Sequence, residues 1–308
     1  MVMRIYNNAN LNKNHTKSVI AIGNFDGLHL GHQKVISEAK QKARKYNLPF
    51  GIMTFEPVPV MFFKKKSKDH RINTLQQKKK QLQELKLDFL IIIKFNKKFS
   101  NLSAEEFIEN IIFKKTKCKY LYVSKNFKFG SKRKGNIQTL KKFEKKFNYK
   151  NIITSPYKKN DKTISSTLIR KKIRLGKIEF VNKLLNRNWC VEGKVIKGKK
   201  RGRKIGFPTC NMSLGSYAVP KLGVYAVKVK TDNFNKNGIA NIGYRPTFNG
   251  QSILLETNIF GINKNLYNKV INVSFKKFIR SEKKFKNFGQ LKKQIQLDIK
   301  QAKKFNNV

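Results

Sequence analysis

Two histidines in a glycine-rich segment are the strongest candidates for chemistry in this sequence. The segment Gly23-Asn-Phe-Asp-Gly-Leu-His-Leu-Gly-His32 lies between an apolar run and a helical pattern. Gly27 and Gly31 allow a tight turn and a close backbone approach to a ligand. A helix N-terminus attracts phosphate, and His29 and His32 are spaced to converge on one anion. The segment therefore predicts a phosphate site, with histidines that merely cap or pack as the less favoured alternative.

A second glycine-rich segment, rich in basic residues, runs from Gly198 to Asn211 with the sequence GKKRGRKIGFPTCN. Glycines and basic side chains suit a loop that folds over phosphates. Thr209 and Asn211 are hard oxygen donors, suited to Mg²⁺ and to nucleotide phosphates. The spacing is not that of a Walker A loop. We therefore expect a phosphate-binding loop here, with Thr209 and Asn211 as candidate oxygen ligands.

Glu256 is a carboxylate within an apolar strand pattern, Ile253-Leu-Leu-Glu-Thr-Asn-Ile-Phe260, in a chain with only 17 acidic residues. A kinase that phosphorylates a hydroxyl group needs a carboxylate placed to take its proton. The pattern alone leaves open whether Glu256 is such a base or an outward-facing strand residue.

Strand and helix patterns alternate in the first part of the chain. Apolar runs at 18–22, 50–55, 88–93 and 119–123 alternate with helical patterns, and Ser103 has capping-box spacing to Glu106. This order predicts a doubly wound parallel sheet, in which ligands bind beyond the carboxyl ends of the strands. The histidine segment follows the first of these strands.

The pattern of predicted strands and helices changes near Trp189. Short β-rich runs at 190–196, 223–230, 238–242, 253–260 and 270–275 are separated by Gly, Pro and Asn, which predicts an antiparallel β-barrel. Leu291, Ile295, Ile299 and Ala302 form one stripe of a closing helix. We therefore expect an α/β domain at 1–187 and a barrel domain at 188–308.

The most unusual bulk property is the charge. The chain has 69 Lys+Arg and 17 Asp+Glu in 308 residues, a net charge of +52. Such a chain attracts polyanions, but the lysines are spread over its whole length, which favours solvated side chains over a nucleic-acid surface. Three cysteines without CxxC spacing indicate neither disulfides nor a zinc site. With no apolar leader and no run long enough to span a bilayer, a cytoplasmic location without membrane contact is expected.

Several segments together resemble those of the bifunctional riboflavin kinase/FAD synthetase family. The histidine segment looks like the HxGH loop of nucleotidylyltransferases, and Ile164-Ser-Ser-Thr-Leu-Ile-Arg170 resembles the family's ISSTxIR motif. The resemblance implies that His29, His32 and Arg170 are catalytic in FMN adenylylation, and that Asn126 and Phe127 contact flavin. It also implies a set of ATP-binding residues, which comprises Gly23, Phe25, Gly27, Gly31, Ser165, Ser166 and Thr167.

The barrel half resembles the kinase module of the same family. Its loop resembles the family's PTAN-containing loop, with Cys210 in place of Ala, and Glu256 stands where the family has its catalytic base. The usual neighbours of that base, His and Asp, are here Asn258 and Gly261. The resemblance implies ATP binding by Gly198, Gly202, Gly206, Thr209 and Asn211, a metal site at the last two of these, and flavin contact by Arg280.

The resemblance implies that the chain phosphorylates riboflavin to FMN and then adenylates FMN to FAD, with ATP as the co-substrate of both steps and Mg²⁺ as the metal cofactor. Two alternatives remain: an enzyme in which only the FAD synthetase module is active, and a basic nucleic-acid-binding protein on an enzyme scaffold. The second depends on the charge alone, because the sequence has no recognition helix or RNP-like strand. The sequence does not determine the oligomeric state.

Overall fold

The computed structural model describes residues 3–63, 70–159, 162–198, 201–247 and 250–306. The chain forms two compact units, one made of residues 1–67 and 74–165 and the other of residues 68–73 and 166–308. Among the described residues, no helix combines the length and the apolar character that crossing a bilayer requires. Lys64–Lys66, Lys199, Lys200 and Phe248, which belong to basic or family-like segments of the sequence, lie outside the described residues.

Six strands of the first unit form a parallel sheet in the order β1-β4-β3-β2-β5-β6. The strands of this unit, including a separate two-stranded antiparallel pair β7–β8, are β1 (Arg4–Tyr6), β2 (Val19–Ile22), β3 (Phe50–Glu56), β4 (Phe89–Lys94), β5 (Tyr120–Ser124), β6 (Lys150–Thr154), β7 (Lys158–Lys159) and β8 (Lys162–Thr163). The predicted doubly wound sheet is thereby confirmed.

The central strands are apolar along their whole length because both faces of the sheet are covered. Alternate side chains of β2 belong to different hydrophobic clusters. Ile20 and Ile22 pack in one cluster, and Val19 and Ala21 pack in the other. The helices of this unit are α1 (Leu30–Lys45), α2 (Pro59–Phe63), α3 (Leu75–Glu84), α4 (Lys97–Ser100), α5 (Ala104–Glu106), which leads into a π-helix at Phe107–Thr116, α6 (Ile137–Lys142) and α7 (Glu144–Phe147), besides 3₁₀ turns at Lys13–His15 and Ser131–Arg133.

Capping boxes begin three of these helices, α3, α5 and α6. Ser103 and Glu106 form the predicted capping box at the start of α5, and Thr74 forms another with Gln77 at the start of α3. The strand order reverses at β2, which has β3 on one side and β5 on the other. This reversal opens a crevice beyond the carboxyl ends of β2 and β5, where ligands of such sheets bind.

The second unit contains an antiparallel sheet in the order β10-β13-β12-β11-β14-β9. Its strands are β9 (Cys190–Lys194), β10 (Cys210–Ser213), β11 (Gly223–Lys230), β12 (Asn235–Thr247), β13 (Gly250–Ile259) and β14 (Val270–Ser281). A bridge between Ile196, just after β9, and Asn211 in β10 links the two edges of the sheet. The predicted antiparallel barrel is therefore present and nearly closed.

Helices flank this sheet: α8 (Ser166–Arg174), α9 (Ile178–Leu185), α10 (Arg201–Lys204) and the closing helix α11 (Phe288–Asn306). The predicted stripe of α11 is seen at Ile299 and Ala302, which pack against Val224 and Ala226 of β11. Trp189 is buried and stacks on Phe275 with ring centroids 4.9 Å apart. It is the only tryptophan in the sequence, so its fluorescence reports on the second unit.

Candidate functional sites

The loop between β2 and α1 holds the histidine segment, as the sequence predicts. Three of its residues have left-handed backbone conformations: Phe25 (φ 47°), Gly27 (φ 86°) and Leu28 (φ 41°). Only the glycine adopts this conformation without steric cost. Phe25 and Leu28 are both buried, at 1% and 2% exposure, so apolar packing stabilises the two costly conformations.

His29 and His32 lie side by side at the start of α1. Their rings stack with centroids 3.7 Å apart and planes inclined by 20°. His29 is the N-cap residue, and its Nδ1 accepts a hydrogen bond of 3.3 Å from the backbone N–H of His32. Phe25 meets the ring of His32 edge-on, with a centroid distance of 5.3 Å. The two imidazoles therefore form one unit at the positive end of a helix of 16 residues.

Gly31 lies where the family-like segment ending at Arg170 approaches this loop. A Cβ atom on Gly31 would be 3.1 Å from Nδ1 of His29 and 3.3 Å from the carbonyl oxygen of Ile164. A side chain at position 31 would thus crowd both neighbours. A Cβ atom on Gly23, at the end of β2, would be 3.3 Å from the ring of Phe25. Both glycines therefore serve close packing within the loop.

The boundary between the two units falls within the segment Ile164–Arg170. Ile164 and Ser165 belong to the first unit, whereas Ser166, Thr167 and Arg170 belong to α8 in the second. Ser166 is the first residue of α8. Within the first unit, the carbonyl oxygen of Ile164 lies close to Gly31 of the histidine loop.

Asn126 and Phe127 follow β5, the neighbour of β2 at the strand reversal. The backbone N–H of Phe127 donates to the carbonyl of Ser124, which closes a turn. Phe127 stacks on Phe129 with centroids 5.4 Å apart and is only partly buried, while Asn126 is exposed. One face of Phe127 thus belongs to the core, and the remainder of its side chain is exposed.

A row of polar residues crosses three neighbouring strands of the second unit. Glu256 in β13 is paired with Asn211 in β10 on one side and with Asn241 in β12 on the other. Directly opposed residues project from the same face of a sheet, with Cβ atoms about 5 Å apart. Asn211 is 7% exposed, and Glu256 and Asn241 are half-buried. The barrel therefore presents one carboxylate flanked by two amides.

The loop before β10 is packed against this row through glycines. A Cβ atom on Gly198 would be 2.2 Å from Nδ2 of Asn211, and one on Gly202 would be 2.4 Å from the carbonyl oxygen of Phe207. Gly206 has a left-handed conformation with φ 87°. Thr209 is exposed at the end of the loop. The predicted ATP-binding glycines are thus required by the loop's own geometry.

Thr209 and Asn211 offer a hydroxyl and an amide oxygen as potential metal ligands. The described part of the chain has no group of three or more His, Cys, Asp or Glu that could hold a metal ion. Mg²⁺ needs no such group, because it keeps several waters and binds to few protein oxygens and to substrate phosphates. The donors present therefore fit Mg²⁺ bound together with a nucleotide.

The side chain of Asn258 is hydrogen-bonded to the loop that precedes β10. Its Nδ2 donates a hydrogen bond of 2.7 Å to the carbonyl oxygen of Pro208. Between these residues and α11 lies a cavity of about 380 Å³ whose lining includes Phe260, Ile299 and Lys303.

Burial raises the pKa of the neighbouring Cys210 thiol to about 11, so this thiol is uncharged at neutral pH.

Arg280, a predicted flavin contact, forms an ion pair with Asp298 of α11. Its Nε and Nη2 donate to the Asp298 carboxylate over 2.7–3.0 Å, and its Nη1 donates to the carbonyl of Ser281. Asp298 is 3% exposed and also accepts a hydrogen bond from Gln294. The guanidinium is thereby fixed in orientation, with donor capacity remaining on Nη1 and Nη2.

Comparison with known proteins gives a match for each half of the chain. A family model described as FAD synthetase matches residues 11–168, and one described as riboflavin kinase matches residues 185–306. Curated relatives are named bifunctional riboflavin kinase/FMN adenylyltransferase. One from Buchnera aphidicola subsp. Schizaphis graminum is 44% identical over 97% of both chains, and one from Bacillus subtilis is 40% identical over 93% of this chain and 92% of its own.

A solved structure covers the same length. A crystal structure described as a macrolide-efflux protein from Streptococcus pneumoniae has a TM-score of 0.87, 30% sequence identity, and coverage of 98% of this chain and 99% of its own. The fold of this chain therefore also occurs in another protein. The family matches, by contrast, identify each half separately.

Proposed function

The chain belongs to the bifunctional riboflavin kinase/FMN adenylyltransferase family, and we propose that its two activities reside at the two sites described above. Residues 188–308 phosphorylate riboflavin to FMN, and residues 1–187 adenylate FMN to FAD; ATP is consumed in both steps. The observation that carries this proposal is the match of two family models to separate parts of the chain, each of which contains its own polar site.

In the kinase step, Glu256 acts as the general base. Its carboxylate takes the proton of the ribityl 5′-hydroxyl, the hydroxyl oxygen bonds to the γ-phosphorus of ATP, and ADP leaves. The glycine loop with Gly198, Gly202 and Gly206 covers the phosphates, and Arg280 borders the flavin. The pairing of Glu256 with Asn211 supports this assignment because it puts the base beside a residue of the ATP loop.

Thr209 and Asn211 would hold Mg²⁺ together with the ATP phosphates. When bound, the ion neutralises charge that develops on the phosphate oxygens. The amide of Asn211 is kept in place by the close approach of Gly198. The chain's own contribution is thus to orient the nucleotide toward Glu256.

In the adenylyltransferase step, a phosphate oxygen of FMN bonds to the α-phosphorus of a second ATP, and pyrophosphate leaves. No protein nucleophile takes part, so catalysis consists of positioning and charge stabilisation. His29, His32 and Arg170 stabilise the developing negative charge. The backbone at Gly23, Phe25, Gly27 and Gly31, together with Ser165, Ser166 and Thr167, binds ATP, while Asn126 and Phe127 contact the flavin.

The partners of this enzyme are small molecules: riboflavin, FMN and ATP. We expect no specific nucleic-acid partner, because the positive charge is distributed over the whole chain. Cys118, Cys190 and Cys210 are all free thiols, which fits a reducing compartment such as the cytoplasm.

Product analysis by chromatography tests the proposal. The purified protein is incubated with ATP and Mg²⁺ and with either riboflavin or FMN. FMN and FAD should both form from riboflavin, and FAD from FMN. FAD from FMN without any FMN from riboflavin would mean that only the adenylyltransferase half is active. No product in either reaction would contradict the proposal, and salt-dependent binding to duplex DNA would then support the polyanion alternative.

Two variants test the assignment of sites. His29→Ala should lower FAD formation by about 100-fold or more while FMN formation is retained, and Glu256→Ala should lower FMN formation by about 100-fold or more while FAD formation from FMN is retained. Ser37→Ala, on the exposed side of α1, and Asp232→Ala, in an exposed loop of the barrel unit, are matched controls. Loss of both activities in either active-site variant would contradict separate sites.

A further inference from the structure

Lys78 is a lysine buried in the first unit at 1% exposure. It is the fourth residue of α3, after the cap at Thr74. This position is unfavourable for a cation for two reasons. An ammonium group is costly to bury, and the N-terminus of a helix is the positive end of its dipole. A lysine here therefore requires a compensating interaction nearby.

The histidine loop and β3 supply two such interactions. Nζ of Lys78 donates a hydrogen bond of 2.7 Å to the carbonyl oxygen of Asn24, and one of 3.3 Å to Oγ1 of Thr54. The hydroxyl of Thr54 in turn donates to the same carbonyl oxygen over 3.1 Å. Thr54 is fully buried near the end of β3. The carbonyl of Asn24 thus accepts two hydrogen bonds, one of them from a charged donor.

Asn24 stands immediately before the strained part of the loop. The left-handed conformations of Phe25 and Leu28 persist only where their surroundings hold them. The same turn leads directly to His29 and His32. A fixed carbonyl at position 24 therefore determines where the turn begins and how the two imidazoles are aimed.

We infer that Lys78 is a positioning residue for FMN adenylylation, which acts on His29 and His32 through the carbonyl of Asn24. The inference rests on the proposed function of the first unit. Lys78 itself needs no contact with either substrate. Its loss leaves one hydrogen bond on the Asn24 carbonyl, from Thr54, and allows the turn to relax.

The test compares Lys78→Met with Lys80→Met, a matched change at an exposed position of the same helix. In Lys78→Met the kcat for FAD formation should fall by about 10- to 100-fold, as expected for one lost hydrogen bond from a charged group. The KM for FMN and the stoichiometry of FMN binding by calorimetry should stay within twofold. Riboflavin phosphorylation by the same preparation, and both activities of Lys80→Met, should be unchanged.

A second variant covers the case in which Lys78→Met does not fold. Thr54→Val removes the other donor to Asn24 without changing the side-chain shape, and should lower the kcat for FAD formation by a smaller factor. The double variant should lose less than the product of the two single losses, because both donors act on one carbonyl. Unchanged kcat in both single variants, or a loss explained by fewer binding sites alone, would overturn the inference. No FAD formation by the wild type would instead contradict the proposed function.

Discussion

Asn211 and Glu256 are directly opposed residues of neighbouring antiparallel strands, β10 and β13. Their side chains therefore lie on one face of the barrel sheet with Cβ atoms about 5 Å apart. This pairing links the two parts of the proposed kinase site, since Asn211 ends the loop assigned to ATP and Glu256 is the proposed base. A change that moves the Asn211 amide should weaken the kinase without altering Glu256.

Gly198→Ala is such a change. The new Cβ atom would be 2.2 Å from Nδ2 of Asn211, so the amide must turn away or the loop must shift. We expect the KM for MgATP in riboflavin phosphorylation to rise at least about tenfold, as for the loss of one polar contact to ATP. Initial rates of riboflavin phosphorylation at varied ATP concentrations measure this KM. Gly289→Ala, where the Cβ atom makes only an ordinary contact of 3.4 Å, is the control. An unchanged KM would separate Asn211 from ATP binding.

Gly31→Ala tests the corresponding close contact in the first unit. The added methyl group would be 3.1 Å from Nδ1 of His29 and 3.3 Å from the carbonyl of Ile164, so at least one of them must move by a few tenths of an ångström. Small displacements at a reacting centre are costly, and we expect FAD formation from FMN to slow by about tenfold. FMN formation, followed in the same preparation, should stay constant. Equal rates of FAD formation in Gly31→Ala and Ser37→Ala would show that this contact is not critical.

How far these sites could be predicted from the sequence depends on the range of the interactions that form them. The histidine loop is local: an apolar strand, two glycines and a helix start lie within a few residues, and its position is predicted correctly. The pairing of Glu256 with Asn211 and Asn241 depends on strand register, which an apolar pattern does not determine uniquely. The sequence therefore indicates Glu256 as a residue type but not its neighbours.

Burial of polar residues was the hardest feature to predict. Lys78 belongs to the basic run Lys78–Lys80, which in the sequence is typical of a solvated surface. It is nevertheless fully buried, because Asn24 and Thr54, which are distant in the chain, provide hydrogen-bond acceptors for its ammonium group. The short edge strand β1 and the helix α9 are absent from the predicted elements. The residues of β1 are mostly exposed and show no alternation, and α9 is a helix of eight residues without a side-chain cap.

Asp298→Asn tests the ion pair between α11 and Arg280. The change keeps the shape of the side chain but removes the charge that faces the guanidinium, and one-sided loss of a buried pair costs about 3–5 kcal/mol. We expect a lower free energy of unfolding of the second unit in urea, monitored by Trp189 fluorescence, and a higher KM for riboflavin. Asp232→Asn, an exposed acid in the same unit, should change neither. Stability equal to that of the wild type would mean that the pair contributes no net energy.

His15 should make the stability of the first unit depend on pH. Its ring stacks on Phe89 with centroids 4.8 Å apart and is hydrogen-bonded through Nδ1 to the hydroxyl of Tyr6 over 2.8 Å. Burial lowers the pKa of His15 below the ordinary value of 6.5; Asp88 opposes this effect and Arg4 adds to it. Because the unfolded chain binds the proton more readily, the free energy of unfolding should fall as the pH drops through 6.5 toward the folded pKa.

The comparison of wild type with His15→Gln isolates this contribution, since the other histidines are the same in both proteins. Hydrogen exchange of the β2 and β4 amides between pH 5 and pH 8, corrected for the intrinsic exchange rates, measures the stability of the parallel sheet. The wild type should lose more stability on acidification than His15→Gln does, and the difference between them should be constant above about pH 7.5, where His15 is neutral in both states. Parallel curves over the whole range would show that His15 has the same pKa in the folded and unfolded chain.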